Sequence, residues 1–252
     1  QLKEEGYKEI TLLGQNVNAY GIDLKMDDGF ACLLEEVAKT GVERIRFATS
    51  HPRDFSLKMV EVMKDNKNIM PFLHLPVQSG NNEILKLMGR GYTVEHFKKL
   101  YDALKEAIPN IAFSTDMIVG FPNETEEQFL DTLKLVDYCQ FDFAFLFIYS
   151  PRVGTPAAKM VDNIDESEKT RRLKELNERV AKYGNLNNQK YLGKVVKVLV
   201  DGKSKRNDDV YSGYSEENKL VNFTGDNVKQ GDIVEVKITE IRSWSMNGEK
   251  VN

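Results

Sequence analysis

The sequence predicts an α/β protein in which a partial, open parallel (β/α) barrel is followed by a small all-β barrel. Three observations carry this. Short apolar runs recur about every 30 to 40 residues, each followed by an amphipathic helical pattern, which is the spacing of βα units in a parallel sheet. The runs are close to continuously apolar, as strands covered on both faces should be. Past Gln189 the pattern changes to short strands between Gly, Asn and Asp turns, without helical periodicity.

The elements follow in order. Gln1 to Glu5 read as the tail of a helix, and Gly6 suits the position just past a helix end. A chain that opens this way predicts a preceding segment, so the sequence is read as a fragment. A strand at Glu9 to Leu13 leads to the helix "FACLLEEVAKT", "RIRFATSH" to "DFSLKMVEVMKDN", and "PFLHLPVQSG" to "NNEILKLMGR" and "TVEHFKKLYDALKEAI". Pro109 closes that last helix. "AFSTDMIVGFP" leads to "TEEQFLDTLKLVDYC", whose start is set by the capping box Thr125–Gln128. "FAFLFIYSPR" leads through a Gly/Pro loop to the long helix "DESEKTRRLKELNERVAKYGNLNNQ". Five such units are too few to close an eight-stranded barrel. The tail offers four strands, "GKVVKVLVDG", "VYSGYS", "KLVNFTG" and "DIVEVKITEIRSW". The predicted domains are residues 1–186 and 187–252.

Composition narrows the function. The net charge of −4 gives no global signature for nucleic acid, although Lys203 to Arg206 form a concentrated basic loop. No apolar run approaches the length of a membrane span. The two cysteines, Cys32 and Cys139, lie far apart inside apolar helical patterns and read as buried free thiols without metal spacing. A cytoplasmic location is the expectation. No lysine ends a strand, which argues against Schiff-base chemistry, and no glycine-rich phosphate loop of dinucleotide type is present.

Ligands of parallel βα folds bind at the carboxyl ends of the strands. Here those ends are Gln15-Asn16, Thr49-Ser50-His51, Gln78-Ser79, Gly120-Phe121-Pro122 and Tyr149 to Arg152, with Asp116 inside the fourth strand. Taken singly, each has an ordinary explanation. Gln78 and Ser79 can serve as helix caps, and Asp116 can pair with the backbone. Five in register point to one mouth of amides and hydroxyls, suited to a zwitterionic or nucleoside-like ligand. Of the histidines, His74 reads as a hydrogen-bonded interior residue and His96 as a helix-surface one. His51 reads equally as a structural or a functional residue.

The stretches "TLLGQNVNAYG", "RIRFATSHP", "HLPVQSG", "STDMIVGFPNETEEQF" and "FIYSPRVGTPAAKM" resemble the MiaB-type tRNA methylthiotransferases of the radical S-adenosylmethionine (SAM) family. The tail "GKSKR…SGYSEENKLVNFTG" resembles their TRAM domain, an OB-like RNA-binding β-barrel. The resemblance implies a radical-SAM-type barrel lacking its first strand, SAM and two [4Fe–4S] clusters as cofactors, and an electron donor such as flavodoxin or ferredoxin. It implies a tRNA anticodon stem-loop as substrate, with a 2-methylthio group installed on N6-isopentenyladenosine through a 5′-deoxyadenosyl radical. By the same resemblance Gln15 and Asn16 lie toward the methionine part of SAM. Ser50, Gln78 and Ser79 hydrogen-bond it, and Asp116 and Phe121 lie near its ribose and adenine. Arg152 meets its carboxylate or the RNA. Lys203, Lys205 and Arg206 meet RNA phosphates, while Phe223 is a core residue before it is a stacking one.

The chain departs from the family in three places. The C-x3-C-x2-C run that binds the cluster is absent, so the chain is expected to hold no cluster and to be inactive alone. Tyr214 stands where the family usually has Arg, and Asn123 where it commonly has Gly. Two alternatives remain: a methylthiotransferase acting on threonylcarbamoyl-adenosine tRNA or a ribosomal protein aspartate, and a non-catalytic RNA-binding paralogue.

Overall fold

The apolar runs of the first 150 residues become five parallel strands: β1 (Glu9–Leu12), β2 (Arg44–Phe47), β3 (Phe72–His74), β4 (Ala112–Val119) and β5 (Phe143–Ile148). The computed structural model that shows them describes every residue except Thr49, Lys205, Arg206, Ser243 and Asn252, and leaves out the side chain of Asp208. β1 pairs with β2, and β4 lies between β3 and β5. The two groups meet where Ile45 bridges Ile69, with Ile45 N–H donating to Asn68 O at 2.7 Å. The result is one curved wall, open on the far side.

Helices α1 (Gly29–Lys39), α2 (Leu57–Asp65), α3 (Asn82–Leu87), α4 (Val94–Ala107), α5 (Glu126–Cys139) and α6 (Glu166–Gln189) cover its outer face. Their starts are set by side chains that accept otherwise unpaired N–H groups: Ser56 from Met59, Asn81 from Glu83 and Ile84, Thr93 from His96. Thr125 and Gln128 form the capping box that the sequence predicts. The core is built from the outward strand residues, such as Ile45, Leu73 and Met117, and the inward helix residues, such as Leu34, Phe97 and Phe129.

The structure differs from the sequence reading at four points, each with a physical reason. The regular part of β3 stops at His74 because Pro76 has no N–H to give the ladder. The chain still follows β4, with Val77 N–H donating to the Thr115 hydroxyl at 2.9 Å. β5 is covered on one face only. Ala144 and Leu146 pack into the core, while Phe143, Phe145 and Phe147 face the open interior. Cys32 is exposed, because α1 buries Phe30, Ala31, Leu34 and Ala38 and Cys32 lies off that stripe; Cys139 is buried. The small barrel has a strand that the pattern did not announce.

That barrel consists of β6 (Val195–Ser204), β7 (Asn207–Ser215), β8 (Leu220–Thr224), β9 (Ile233–Ile241) and β10 (Met246–Lys250), closed in the order β10-β8-β7-β6-β9. β10, "MNGEK", is poor in strand-forming residues. It forms because both β8 and β9 offer it a free edge, one parallel and one antiparallel. Phe223, 1% exposed, lies in the barrel core. α6 runs unbroken through residues 186 and 187, so the change of architecture falls between Gln189 and Val195.

The two bodies are joined by charged side chains. On β2, Ile45 and Phe47 point into the helical layer, so Arg44 and Arg46 point inward. Arg44, 2% exposed, donates to the carbonyls of Tyr214 (3.0 Å) and Lys197 (2.9 Å). Arg46 donates to Ser215 O (2.8 Å), Glu216 O (3.1 Å) and the Glu9 carboxylate (2.9 Å). Lys219 reaches Asp142 at 2.6 Å, and the second oxygen of Asp142 accepts from Phe113 N–H.

Arg44→Met leaves two carbonyls at the interface without this donor, and an unsatisfied buried group costs about 1–3 kcal/mol. Chemical denaturation should therefore read a loss of about 2–4 kcal/mol. Lys8→Met, at a half-exposed pair with Glu43, should stay within about 0.5 kcal/mol of the parent.

Candidate functional site

The carboxyl ends of β3, β4 and β5 surround a cavity of about 770 Å³, the size of a nucleoside-like ligand site. Gln78, Asp116, Phe121 and Arg152 line it, four of the residues that the sequence singled out. Gln78 holds its place at a backbone cost. Its φ is +71°, a region that side chains avoid. Its N–H nevertheless donates to Asp116 O (2.8 Å), and its carbonyl accepts from Ile118 N–H (2.9 Å). Strain held by surrounding bonds in this way is typical of functional positions. Asp116 shares the inner face of β4 with Ser114, and both meet His74: Nδ1 lies 2.8 Å from Ser114 Oγ and Nε2 lies 3.4 Å from Asp116 Oδ1.

The loop after β4 is fixed from α6. Gly120 has φ +67°, and a Cβ there would stand 2.5 Å from Lys169 Cγ, so the position requires glycine twice over. Gly120 N–H donates to the buried Glu124 carboxylate at 2.8 Å, which also receives Arg172 Nη1 at 3.0 Å. Burial raises the pKa of Glu124, and the Gly120 N–H and Arg172 oppose that rise. Phe121 then lies edge-on to Tyr149, with ring centroids 5.1 Å apart. Asn123 adopts φ +65°, a conformation that Asn tolerates nearly as well as Gly.

The other expected residues lie beside the cavity. Gln15 is exposed at the end of β1. Asn16 donates to Asp54 at 2.6 Å, and Asn18 exchanges two hydrogen bonds with the backbone of His51, which ties the first two strand-end loops together. His51 itself caps the short turn at Pro52–Asp54 by accepting from Arg53 N–H, and burial lowers its pKa. His96 is half-buried and reaches Pro52 O at 3.0 Å. Ser79, wholly buried, accepts from Asn81 N–H and faces Thr132 of α5. It shapes the turn and lies outside the cavity lining. Lys203 is exposed near the end of β6. Lys205 and Arg206 fall outside the described residues, as does Thr49.

One charged lining residue escaped the sequence reading, Arg90, while Tyr149 belongs to the strand end Tyr149 to Arg152 that the sequence singled out. The Arg90 Nε and the Tyr149 hydroxyl are buried without a hydrogen-bond partner, as are Asn16 Oδ1 and Ser50 Oγ at neighbouring strand ends. Buried polar atoms are rarely left unsatisfied. A ligand bearing both donors and acceptors fits this set, and SAM is such a ligand. The available signal for Arg90 was its position between two glycines in "GRG". Cys139 is buried and its thiol pKa is pushed up by that burial, while Cys32 lies on a different helix. Among the described residues, no three His, Cys, Asp or Glu side chains converge as metal ligands.

Residues 1–136 match the family model "Radical SAM superfamily", and residues 189–251 match "TRAM domain". The chain is 54% identical to a tRNA-2-methylthio-N(6)-dimethylallyladenosine synthase of Shouchella clausii over 251 residues, covering 100% of this chain and 48% of that protein. It is 53% identical to the synthase of the same name from Anoxybacillus flavithermus, covering 99% and 48%. The chain thus spans about half the length of these relatives. Among solved structures it resembles coproporphyrinogen III oxidase of Escherichia coli, a radical SAM enzyme, with a TM-score of 0.52 and 16% identity, over 83% of this chain and 55% of the other. That likeness speaks for the fold alone.

Arg172→Met strips a buried carboxylate of its partner, a change that costs about 3–5 kcal/mol. A thermal or urea unfolding curve measures it, and the double variant Arg172→Met/Glu124→Met should recover part of the loss. The Arg53 guanidinium, with help from Asn16, holds the Asp54 carboxyl below the usual carboxylate range. A depressed folded pKa adds stability that is complete above the unfolded value and lost as pH falls through the folded one. Asp54→Asn should therefore lower stability at neutral pH and make the fall in stability below about pH 4 shallower, as urea unfolding followed by near-UV circular dichroism across that range measures.

Proposed function

From a chain that belongs to the radical SAM superfamily, we propose the SAM-binding and RNA-binding portion of a tRNA methylthiotransferase. The reaction installs a 2-methylthio group on N6-isopentenyladenosine beside the anticodon. The observation that carries this reading is the strand-end cavity with its unsatisfied polar atoms, set beside a TRAM-type barrel docked across the open side of the same fold. The activity for which relatives at 52–54% identity are named supports the substrate.

In this reading Gln78, Asp116, Phe121 and Arg152 hold SAM within the cavity. Asn16 and Ser50 complete its polar contacts with their unpaired oxygens, and Gln15 flanks them. Ser79 acts indirectly, through the turn that positions Gln78. Lys203, Lys205 and Arg206 meet phosphates of the anticodon stem-loop. The division of labour follows the two bodies, the part through α6 for SAM and the small barrel from Val195 onward for RNA.

Bound SAM supplies a reactive adenosyl group once a reduced iron–sulfur cluster cleaves it. Such a cluster needs thiolates at close spacing, which Cys32 and Cys139 do not provide. The chain as it stands is proposed to be inactive. Its cluster ligands are to be sought in the half of the relatives that this chain does not cover. A flavodoxin or ferredoxin would supply electrons, and the cytoplasm is where that tRNA and those donors meet.

The test is mass spectrometry of tRNA nucleosides and ribosomal protein from cells lacking the gene. The expected result is loss of 2-methylthio-N6-isopentenyladenosine with accumulation of the unthiolated nucleoside. Persistence of that nucleoside, with loss of a methylthio mark on threonylcarbamoyl-adenosine or on a ribosomal aspartate, would replace the substrate.

A further inference from the structure

We propose that the inner face of β5 is a nucleobase-stacking ladder for an unpaired RNA segment, running from Trp244 of the small barrel to the strand-end cavity. The proposal rests on the reading of this chain as part of an RNA-modifying enzyme and adds the path by which RNA reaches the site.

The aromatic rings are the first observation. Phe143, Phe145 and Phe147 are 37%, 50% and 51% exposed, and Trp244 is 55% exposed. Trp244 stands edge-on to Phe143 with centroids 5.9 Å apart, Phe143 to Phe145 at 4.8 Å, and Phe145 to His74 at 5.9 Å. Phe147 lines the strand-end cavity itself. The contacts run from Trp244 to Phe145 and His74, and Phe147, two residues on along the same face of β5, carries the row to the mouth of the cavity. Apolar surface of this extent, left in contact with water on the inside of a barrel, marks a place where something binds.

Charge selects the occupant. A groove of about 560 Å³ follows the free edge of β5 between Trp244 and α6, beside the three phenylalanines, and its lining residues include Lys174 and no carboxylate. The cavity that it joins carries Arg90 and Arg152 against the single acid Asp116. A surface of half-exposed aromatic rings bordered by cations suits a polyanion with flat apolar bases. Stacking of bases on such rings tolerates any sequence. The chemistry proposed at the strand ends also requires a base drawn out of its stack.

Trp244 is the sole tryptophan of the chain, so fluorescence excited selectively at tryptophan, beyond the absorption of the ten tyrosines, reports on the ladder. The 252-residue chain is titrated with a short unpaired oligoribonucleotide and with the same strand in a duplex, while anisotropy of a label on the RNA measures binding. Quenching of Trp244 by the single strand, well beyond that by the duplex at equal saturation, is the expected result. Phe145→Leu, which keeps an apolar side chain and removes the ring at an exposed position, should weaken binding about 5- to 150-fold. Circular dichroism confirms that the variant is folded.

Binding without quenching, or with an affinity indifferent to Phe145→Leu, overturns the ladder, as does absence of binding. Self-association lost in Phe145→Leu would overturn it in favour of a second copy on this face. If the ladder fails and the tRNA nucleoside is still lost from deficient cells, the functional reading stands without it. If the ladder holds and the nucleoside is unchanged, the RNA face is real and the proposed modification is wrong.

Discussion

Two arginines that point into an open barrel hold this structure together. Guanidinium stays charged at any pH of interest, so Arg44 and Arg46 can be buried only where acceptors surround them. The acceptors are carbonyls at Lys197, Tyr214, Ser215 and Glu216 of the small barrel, with Glu9 alongside. A carbonyl contact depends on where the backbone lies, so these bonds fix the position of the β6–β7 hairpin whatever side chains it carries. Without them the small barrel would hang from α6 and from the Lys219–Asp142 pair. Because of them, Trp244 comes to rest against β5, and a cavity of about 410 Å³ is enclosed between Thr11 and Ala48 on one side and Val200 and Tyr214 on the other.

The second organising constraint is α6. Its first turns carry two buried cations: Lys169 closes over Gly120, and Arg172 pairs with Glu124. Its last turn anchors Asn187 to Gln140 O and hands the chain to the small barrel. One helix therefore shapes the loop that carries Phe121 and sets the starting point of the domain read as RNA-binding. The polar cost at the mouth is local: a positive φ at Gln78 and four unpaired buried atoms. Such groups are tolerated because the surrounding loops are held by their own bonds, Asn18 to His51 and Asn81 to Asp131 among them.

What the sequence determined by itself is what depends on short range and on periodicity. The βα spacing, the Thr125–Gln128 box and the polar strand ends at Gln78, Asp116, Phe121 and Arg152 were all legible, because each follows from the residue and its near neighbours. The long motifs likewise carried the family. What only the tertiary structure decided is which side of a local pattern meets which partner. "RIRF" gives no sign that its arginines will bind another domain's carbonyls. "FAFLFI" reads as a strand buried on both faces, and only its place as the last strand of an open wall exposes three phenylalanines. "MNGEK" has little strand propensity and forms β10 because two free edges await it. Ser79 and Gln78 look alike in sequence, yet the alternation of the chain buries one under Thr132 and turns the other into the cavity. The reason is the same in each case: sequence encodes conformation over a few residues, whereas burial and partner depend on surfaces brought together from distant parts of the chain.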